Sequence, residues 1–309
     1  MARSTEDRFR RGALMFVARR SSEQMKSMFD DDNFAKMYAS AEKLTGHFAK
    51  ILVDTVVKNI SDNEELVILD EACGTGIVSK HLKDALGDNS KKNLELTCAD
   101  NADAMLKVMA KRIETNGWEK AKTAKSDGID TKLPSSHFTH ILLNFGPMIF
   151  SDSKKGMGEC HRMLRPGGIL AMTSWEEVGW MPDVRAAMAS DPELPGMAPD
   201  HQLRKAFSAD GAKWDEEPWV HDFVSEMGFV DVRVEKVKHR SSLSNVTEFM
   251  GMIQGVFMLL VNTQWTGEQK EKYRDRAKDV IEKYMVDKYG KGEIQWDWVA
   301  LMTIAKKAA

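Results

Sequence analysis

The sequence predicts a doubly wound α/β fold: a seven-stranded, mostly parallel sheet with N-terminal helices and an inserted helical lid. Three observations predict it. Short apolar runs alternate with segments whose apolar residues recur every three or four positions, as in βαβ units. The first such run, Leu66-Val67-Ile68-Leu69, is followed closely by a small-residue loop, Ala72-Cys73-Gly74-Thr75-Gly76, ahead of a helix. Late in the chain Val230, Val232, Val234 and Val237 alternate, and residues 298–304 form a final strand candidate, which completes the sheet.

Residues 21–60 read as an N-terminal helical cap. Phe34, Met37, Tyr38, Ala41, Leu44, Phe48, Ile51, Leu52 and Val56 mark one apolar face. A break is expected near 30–33, where Asp and Asn favour caps. The continuous run 66–69 suits a buried parallel strand. Ile77, Val78, Leu82 and Leu86 then recur at helical spacing, with Gly87 as the expected left-handed stop. A second strand over 94–99 ends at Asp100, and a helix over 104–113 stops at Asn116-Gly117. A short strand at 122–125 leads to Asp127-Gly128, and a fourth covers 140–144. A helix over about 154–164 ends at Arg165-Pro166-Gly167-Gly168, read as a tight turn into a fifth strand at 169–174. Residues 178–217 are rich in Pro, Met and Asp and read as a lid or connector. A helix over 220–227 is stopped by Gly228, and 229–237 alternate as a strand. Asn245-x-x-Glu248 opens a helix in capping-box style, a charged amphipathic helix spans 266–289, and 243–290 form a second lid segment. The α/β domain is thus expected over 61–309.

Composition narrows the class. With 42% apolar and 29% charged residues, the 309-residue chain is neither disordered, collagen-like nor disulfide-stapled. A net charge of −3 gives no field that would suggest nucleic acid. Cys73, Cys98 and Cys160 lack C-x-x-C spacing, a reduced, cytoplasmic pattern with no metal site. No apolar run approaches the ~20 residues that span a bilayer, so no membrane partner is expected. Residues 1–20 carry six arginines but also Glu6 and Asp7, and read as a disordered basic tail rather than a transit peptide.

The chemistry concentrates at strand ends. Small residues at Ala72, Cys73, Gly74 and Gly76 let the backbone pass close to a ligand, and the next helix presents its positive N-terminus there. Asp100, ending the second strand, is placed to accept both hydroxyls of a ribose. These features indicate an adenosine-containing cofactor. A dinucleotide is one reading, but Gly74-x-Gly76-x-x-Ser79 has Ser at the third glycine position. The other is S-adenosylmethionine, whose ammonium Asp70 would hold while loop amides hold the carboxylate. Asp127-Gly128-Ile129 suits an adenine, with a carboxylate for the exocyclic amine and an apolar wall, and favours the second reading.

Ile68-Leu69-Asp70-x-x-Cys73-Gly74-Thr75-Gly76, the acid after the second strand and Met163-Leu164-Arg165-Pro166-Gly167-Gly168 resemble class I S-adenosylmethionine-dependent methyltransferases, over about residues 35–305. Phe34-x-x-x-Tyr38-x-x-x-Glu42-Lys43-Leu44-Thr45-Gly46, Leu94-x-Leu96-Thr97-Cys98-x-Asp100 and Asp130-Thr131-x-Leu133-Pro134 resemble the fungal gliotoxin bis-thiomethyltransferase family, as do Phe145-Gly146, Gly168-Ile169-Leu170-Ala171 and Trp175. The resemblance implies a Rossmann-like sheet and methyl transfer from S-adenosylmethionine to thiols of reduced epidithiodiketopiperazines. The resemblance tips Tyr38 toward the cofactor set, which also takes Asn101 and Met105; Asn144, at the tip of the fourth strand, is placed by topology to face the methyl donor or else is a strand-end residue satisfied by backbone. One departure is Ala72, where the usual motif has its first glycine.

Candidate acceptor contacts are Phe145, Met148, Trp175 and Trp180, on loops after strands four and five, where ligands of open α/β sheets sit. Trp214, Trp219, Trp265, Trp296 and Trp298 read as packing residues. His47, His137, His140 and His161 have no acid at a spacing that would orient them as bases. Asp152 and Glu176 follow strand ends and would serve as bases for an amide or phenol acceptor; an N- or O-methyltransferase is therefore the alternative. A cofactor-binding nuclear regulator without turnover is a third reading, served by the basic tail. The 20 methionines suggest a soft lid: Met25, Met28, Met37, Met148, Met181, Met250, Met252 and Met258 fall on segments expected to roof a small-molecule acceptor.

Overall fold

The structure is a computed structural model that describes residues 29–30, 32–61, 64–199, 208 and 210–309, with the side chains of 32–41, 254–256, 258–259 and 262–263 left aside. The expectations for the basic tail, Met25, Met28 and the side chains of Met37, Tyr38 and Met258 lie outside the described residues.

A long helix α1 (Asp32–Val57) precedes β1 (Leu66–Glu71), α2 (Ile77–Ala85), α3 (Asp88–Asn93), β2 (Leu94–Asp100), α4 (Asp103–Thr115) and β3 (Ala121–Lys125). Then follow β4 (Phe138–Asn144), α5 (Ser153–Met163), β5 (Leu164–Glu177), α6 (Met181–Ala189), α7 (Glu217–Glu226) and β6 (Phe229–Leu243). The chain closes with α8 (Val246–Gln264), α9 (Gly267–Tyr289) and β7 (Ile294–Lys307). The seven strands lie in the order β3-β2-β1-β4-β5-β7-β6, with β7 antiparallel to both neighbours and the rest parallel. Strand order reverses between β1 and β4, so a crevice opens at their carboxyl ends.

Every residue of β1 is buried, as a strand covered on both faces requires. Alternation along it assigns the faces. Leu66 and Ile68 pack with Leu52, Val53 and Leu82 under α1 and α2. Val67 and Leu69 pack with Met157, Cys160 and Val224 under α5 and α7. A third cluster, including Val184, Phe249, Ile281, Met285 and Trp296, joins α6, α8 and α9 to the start of β7.

Four expectations are corrected. Gly87 does not stop α2: its φ is −69°, Leu86 ends the helix in an extended conformation, and Gly87 opens the short α3. The Pro166-Gly167-Gly168 turn lies inside β5, as an irregularity where the register with β4 shifts between Phe138 and His140. The 178–217 segment contains α6. Its Asp183, 4% exposed, accepts hydrogen bonds from Lys288 Nζ (2.5 Å), Tyr289 OH (2.6 Å) and Trp296 Nε1 (2.9 Å). Burial alone would raise its pKa, but these three donors hold it below the usual carboxylate value. At the start of α8, Asn245 caps Glu248 N, but the Glu248 carboxylate accepts from Ser244 N and from Lys43 of α1 rather than closing the box on Asn245.

Candidate active site

The carboxyl ends of β1, β2, β3 and β4 each deliver a polar residue to one edge of the sheet. Asp70 is the penultimate residue of β1 and is 1% exposed. Its Oδ2 accepts from Ser79 N at 3.1 Å and Ser79 Oγ at 2.6 Å, which ties the strand to the first turn of α2. Burial pushes its pKa up to about 7. Between strand and helix, Ala72 (φ 52°), Gly74 (φ 52°) and Gly76 (φ 90°) hold left-handed conformations. A Cβ on Gly76 would fall 2.1 Å from Met109 Sδ, so only glycine fits there. Cys73 N donates to Ala99 O at 2.9 Å, stitching the loop to β2. Its buried thiol is held well above the ordinary cysteine pKa by burial, which leaves no thiolate for chemistry.

Asp100 faces this loop from β2. Its Oδ2 accepts from Gly74 N and its Oδ1 from Ala102 N, both at 2.9 Å. Asn101 N donates to the same carboxylate, and with about four acceptor sites it keeps capacity for a ribose hydroxyl. Burial raises its pKa above the ordinary value. Asn101 is half-buried in the bend that follows, and Met105, 1% exposed, packs with Ala102 and Ala104 behind it.

After β3, Asp127 is exposed and its Oδ1 accepts from Ile129 N at 3.2 Å. Gly128 sits against the Phe150 ring, 2.2 Å from where a Cβ would be, and Ile129 is half-buried on the α5 side. The loop is anchored through Thr131, whose N and Oγ1 donate to Glu159 Oε2 at 2.9 and 2.6 Å. Hydrogen bonds from Arg162, with those from Thr131, lower the Glu159 pKa to about 2.

Asn144 and Phe145 form the tip of β4. Asn144 Oδ1 accepts from Thr173 Oγ1 at 2.7 Å. Phe145 has φ 57°, a conformation that costs a bulky L-residue about 1–3 kcal/mol. Its ring stacks on Trp175 at 3.8 Å and 14°, and Phe48 of α1 meets both rings edge-on at 5.8 and 5.2 Å. Trp175 N donates to Met148 Sδ at 3.3 Å. Beside them lies a cavity of about 530 Å³, whose walls include Met148, Trp175, Glu176, Met181, Arg185 and Trp214.

Two tryptophans exchange roles relative to the sequence reading. Trp180 is 3% exposed within the α6–α8 core and does not line the cavity. Trp214, read as packing, is 1% exposed with Nε1 bonded to Ser153 Oγ, yet it also contributes cavity wall. The methionine lid is partly corrected too. Met148 and Met181 line the cavity, but Met250 and Met252 do not; they pack against the α6–α8–α9 core, and Met109, Met157, Met163, Met172, Met285 and Met302 are buried core residues.

Of the candidate bases, Asp152 caps α5 by accepting from Lys155 N, and Glu176 pairs with Lys236 at 2.5 Å. His47 stacks on His239 at 3.7 Å rather than meeting an acid, and burial lowers both pKa values. Tyr38 lies on α1, with its side chain outside the described residues. Three contributors were missed. Glu42 of α1 accepts from Thr75 Oγ1 (2.5 Å) and pairs with Arg112 (2.9 Å), while Phe48 and Thr173 support the β4 tip. Glu42 lies in a segment already singled out, but its partner Arg112 is 70 residues away in sequence, so no local pattern marks the pair. Among the described residues no cluster of His, Cys, Asp and Glu fits a metal ion, and no helix is long and apolar enough to cross a membrane.

These residues fit S-adenosylmethionine: a left-handed glycine cradle, a carboxylate with spare acceptor capacity at β2, and a polar loop after β3, all on one edge. Comparison with known proteins agrees. Residues 68–168 match a methyltransferase domain model. The chain is 34% identical over 270 residues to acetylaranotin bis-thiomethyltransferase of Aspergillus terreus, covering 87% of this chain and 92% of that protein. It is 31% identical over 256 residues to methyltransferase ktnA of Aspergillus niger, covering 77% and 83%. Among solved structures, a phosphoethanolamine N-methyltransferase of Haemonchus contortus, in complex with phosphomonomethylethanolamine and S-adenosylhomocysteine, shares the fold (TM-score 0.52, 13% identity, 91% of this chain and 60% of that one). YcgJ of Bacillus subtilis does too (TM-score 0.51, 12% identity, 84% and 98%). The chain belongs to the S-adenosylmethionine-dependent methyltransferases, in the family that includes acetylaranotin bis-thiomethyltransferase.

Proposed function

We propose that this enzyme methylates thiols of a small fungal metabolite, an epidithiodiketopiperazine-like dithiol. The observation that carries this reading is the cavity beside the Phe145–Trp175 stack, walled by Met148, Met181, Trp175 and Trp214. Such walls suit a bulky, polarizable, sulfur-bearing acceptor. When bound, S-adenosylmethionine would supply a methyl on a sulfonium: an acceptor thiolate, its proton lost to solvent, would bond to the methyl carbon as the sulfonium C–S bond breaks, releasing neutral S-adenosylhomocysteine. The protein's part is alignment and exclusion of water. Asp100 takes the ribose, Asp127 with Gly128 and Ile129 the adenine, and Asp70 with the 72–76 loop the amino-acid end. Asn101, Asn144 and Tyr38 complete the cofactor contacts, with Met105 as packing support. Trp175 offers a π face to the sulfonium charge. A thiol with a pKa near ~8.5 carries enough thiolate to react without a strong base. This suits a site whose two candidate bases are engaged elsewhere, Asp152 with Lys155 N and Glu176 with Lys236.

The test is incubation of the protein with S-adenosylmethionine and reduced acetylaranotin, read by mass spectrometry. Methyl thioethers support the reading, and their absence beside methylated phenols or amides overturns it. A second reading, N- or O-methylation, draws on Glu176, which lies on the cavity wall. It would show as a pH–rate profile governed by a protein base, whereas the thiol reaction follows the acceptor's own ionisation.

A further inference from the structure

Thr173 joins the two residues at the tip of β4. It lies opposite Asn144 on β5 and is 2% exposed. Its hydroxyl oxygen accepts the Phe145 N–H at 3.0 Å, and its carbonyl accepts the same N–H at 3.2 Å. The hydroxyl's single proton goes to Asn144 Oδ1 at 2.7 Å. A threonine hydroxyl has one proton to give, so this contact holds the amide carbonyl against β5. The NH2 arm of Asn144 is then the one turned away from Thr173, and no described residue accepts its protons. The same hydroxyl holds Phe145 at φ 57°, a conformation that persists only where the surroundings fix it. That conformation accompanies the stacking of the ring on Trp175.

We infer that Thr173 is a positioning residue whose hydroxyl sets the Asn144 amide, so that its N–H donors meet the cofactor, and fixes the Phe145 ring beside them. The inference rests on the reading of Asn144 as a cofactor contact. Valine has the same branched shape without the hydroxyl, and serine has the hydroxyl without the methyl. The two substitutions therefore separate hydrogen bonding from packing.

The test is calorimetric titration of S-adenosylhomocysteine into the full chain, for wild type, Thr173→Val, Thr173→Ser, Asn144→Ala and the Thr173→Val/Asn144→Ala double variant. Thr173→Val is expected to raise Kd about tenfold, as Asn144→Ala does, the effect of losing one hydrogen bond in a network. Thr173→Ser should stay within about twofold of wild type, and the double variant should bind no worse than Asn144→Ala alone, because a residue acting through another is not additive with it. Thermal unfolding of each variant checks the fold, and Thr173→Ala replaces the valine variant if that does not fold. Wild-type affinity in Thr173→Val while Asn144→Ala is weakened overturns the inference alone. So does serine binding worse than valine, or full additivity in the double variant. Wild-type affinity in Asn144→Ala overturns the underlying reading of Asn144.

Discussion

Glu42, on the helix that precedes the sheet, accepts a 2.5 Å hydrogen bond from the Thr75 hydroxyl in the glycine loop and pairs with Arg112 at 2.9 Å. One carboxylate thus ties α1 to the loop and to α4. The Glu42 and Arg112 side chains are only 16% and 19% exposed, so water screens this pair less than a surface one. Glu42→Gln keeps the shape and removes the charge. It is expected to weaken S-adenosylhomocysteine binding about tenfold, or about 1.4 kcal/mol, by calorimetry. Unchanged affinity would uncouple α1 from the cofactor loop.

Gly76→Ala should disrupt the loop itself. The residue sits at φ 90°, and the new Cβ would meet Met109 Sδ. Left-handed strain of about 1–2 kcal/mol and overpacking of about 1–3 kcal/mol act together. Denaturant unfolding is expected to show most of that loss. In a Met109→Ala background the clash is absent, so Gly76→Ala should there still cost about 1–2 kcal/mol relative to Met109→Ala alone; no cost in that background would contradict the conformational part of this reading.

Glu159 links the loop after β3 to acid stability. Its folded pKa lies near 2, against an ordinary value of 4.5, with Arg162 as the leading cause. The depressed pKa means that its contribution is fully present above about pH 4.5 and is lost as pH falls toward 2. Glu159→Gln is expected to lower stability at neutral pH and to flatten the fall between those values. Urea midpoints measured across the range would show it; parallel curves for the two proteins would contradict it.

Phe145→Gly tests whether strain at the β4 tip serves the reaction. Glycine adopts φ 57° freely, so about 1–3 kcal/mol of strain is relieved. The lost stack on Trp175 costs about 0.5–1.5 kcal/mol, beyond the lost burial. The lost burial outweighs the relieved strain, so a lower thermal midpoint is expected, with turnover down tenfold or more. Phe145 does not itself line the cavity but stacks on Trp175, which does, and undiminished turnover would remove it from the proposed acceptor site.

What could be read in advance follows from how locally each feature is encoded. The buried run 66–69 and the loop 72–76 are each contiguous, and the acids at the end of β2 and just after β3 adjoin their strands; each announces itself within a few residues. The sheet order then brings them together without further information. Gly87 misled because glycine serves equally before a helix and after one. The helix α6 was hidden because its anchor, Asp183, finds its partners at Lys288, Tyr289 and Trp296, about a hundred residues away. Trp180 and Trp214 were exchanged for the same reason: a position after a strand end does not say which way an indole turns. Glu42, Phe48 and Thr173 act by contact across the fold; Phe48 and Thr173 lie in no motif, and the segment that contains Glu42 does not say that its carboxylate meets Thr75 and Arg112.

We propose that this methyltransferase acts on sulfur, with a site that aligns cofactor and acceptor rather than activating the nucleophile. The most direct measurement is mass spectrometry of reduced acetylaranotin after incubation with S-adenosylmethionine and the purified enzyme, with wild type compared with Asp100→Ala. The expected result is methylation on both sulfurs by wild type and loss of product with Asp100→Ala. Methyl groups found on oxygen or nitrogen, or an Asp100→Ala enzyme as active as wild type, would contradict it.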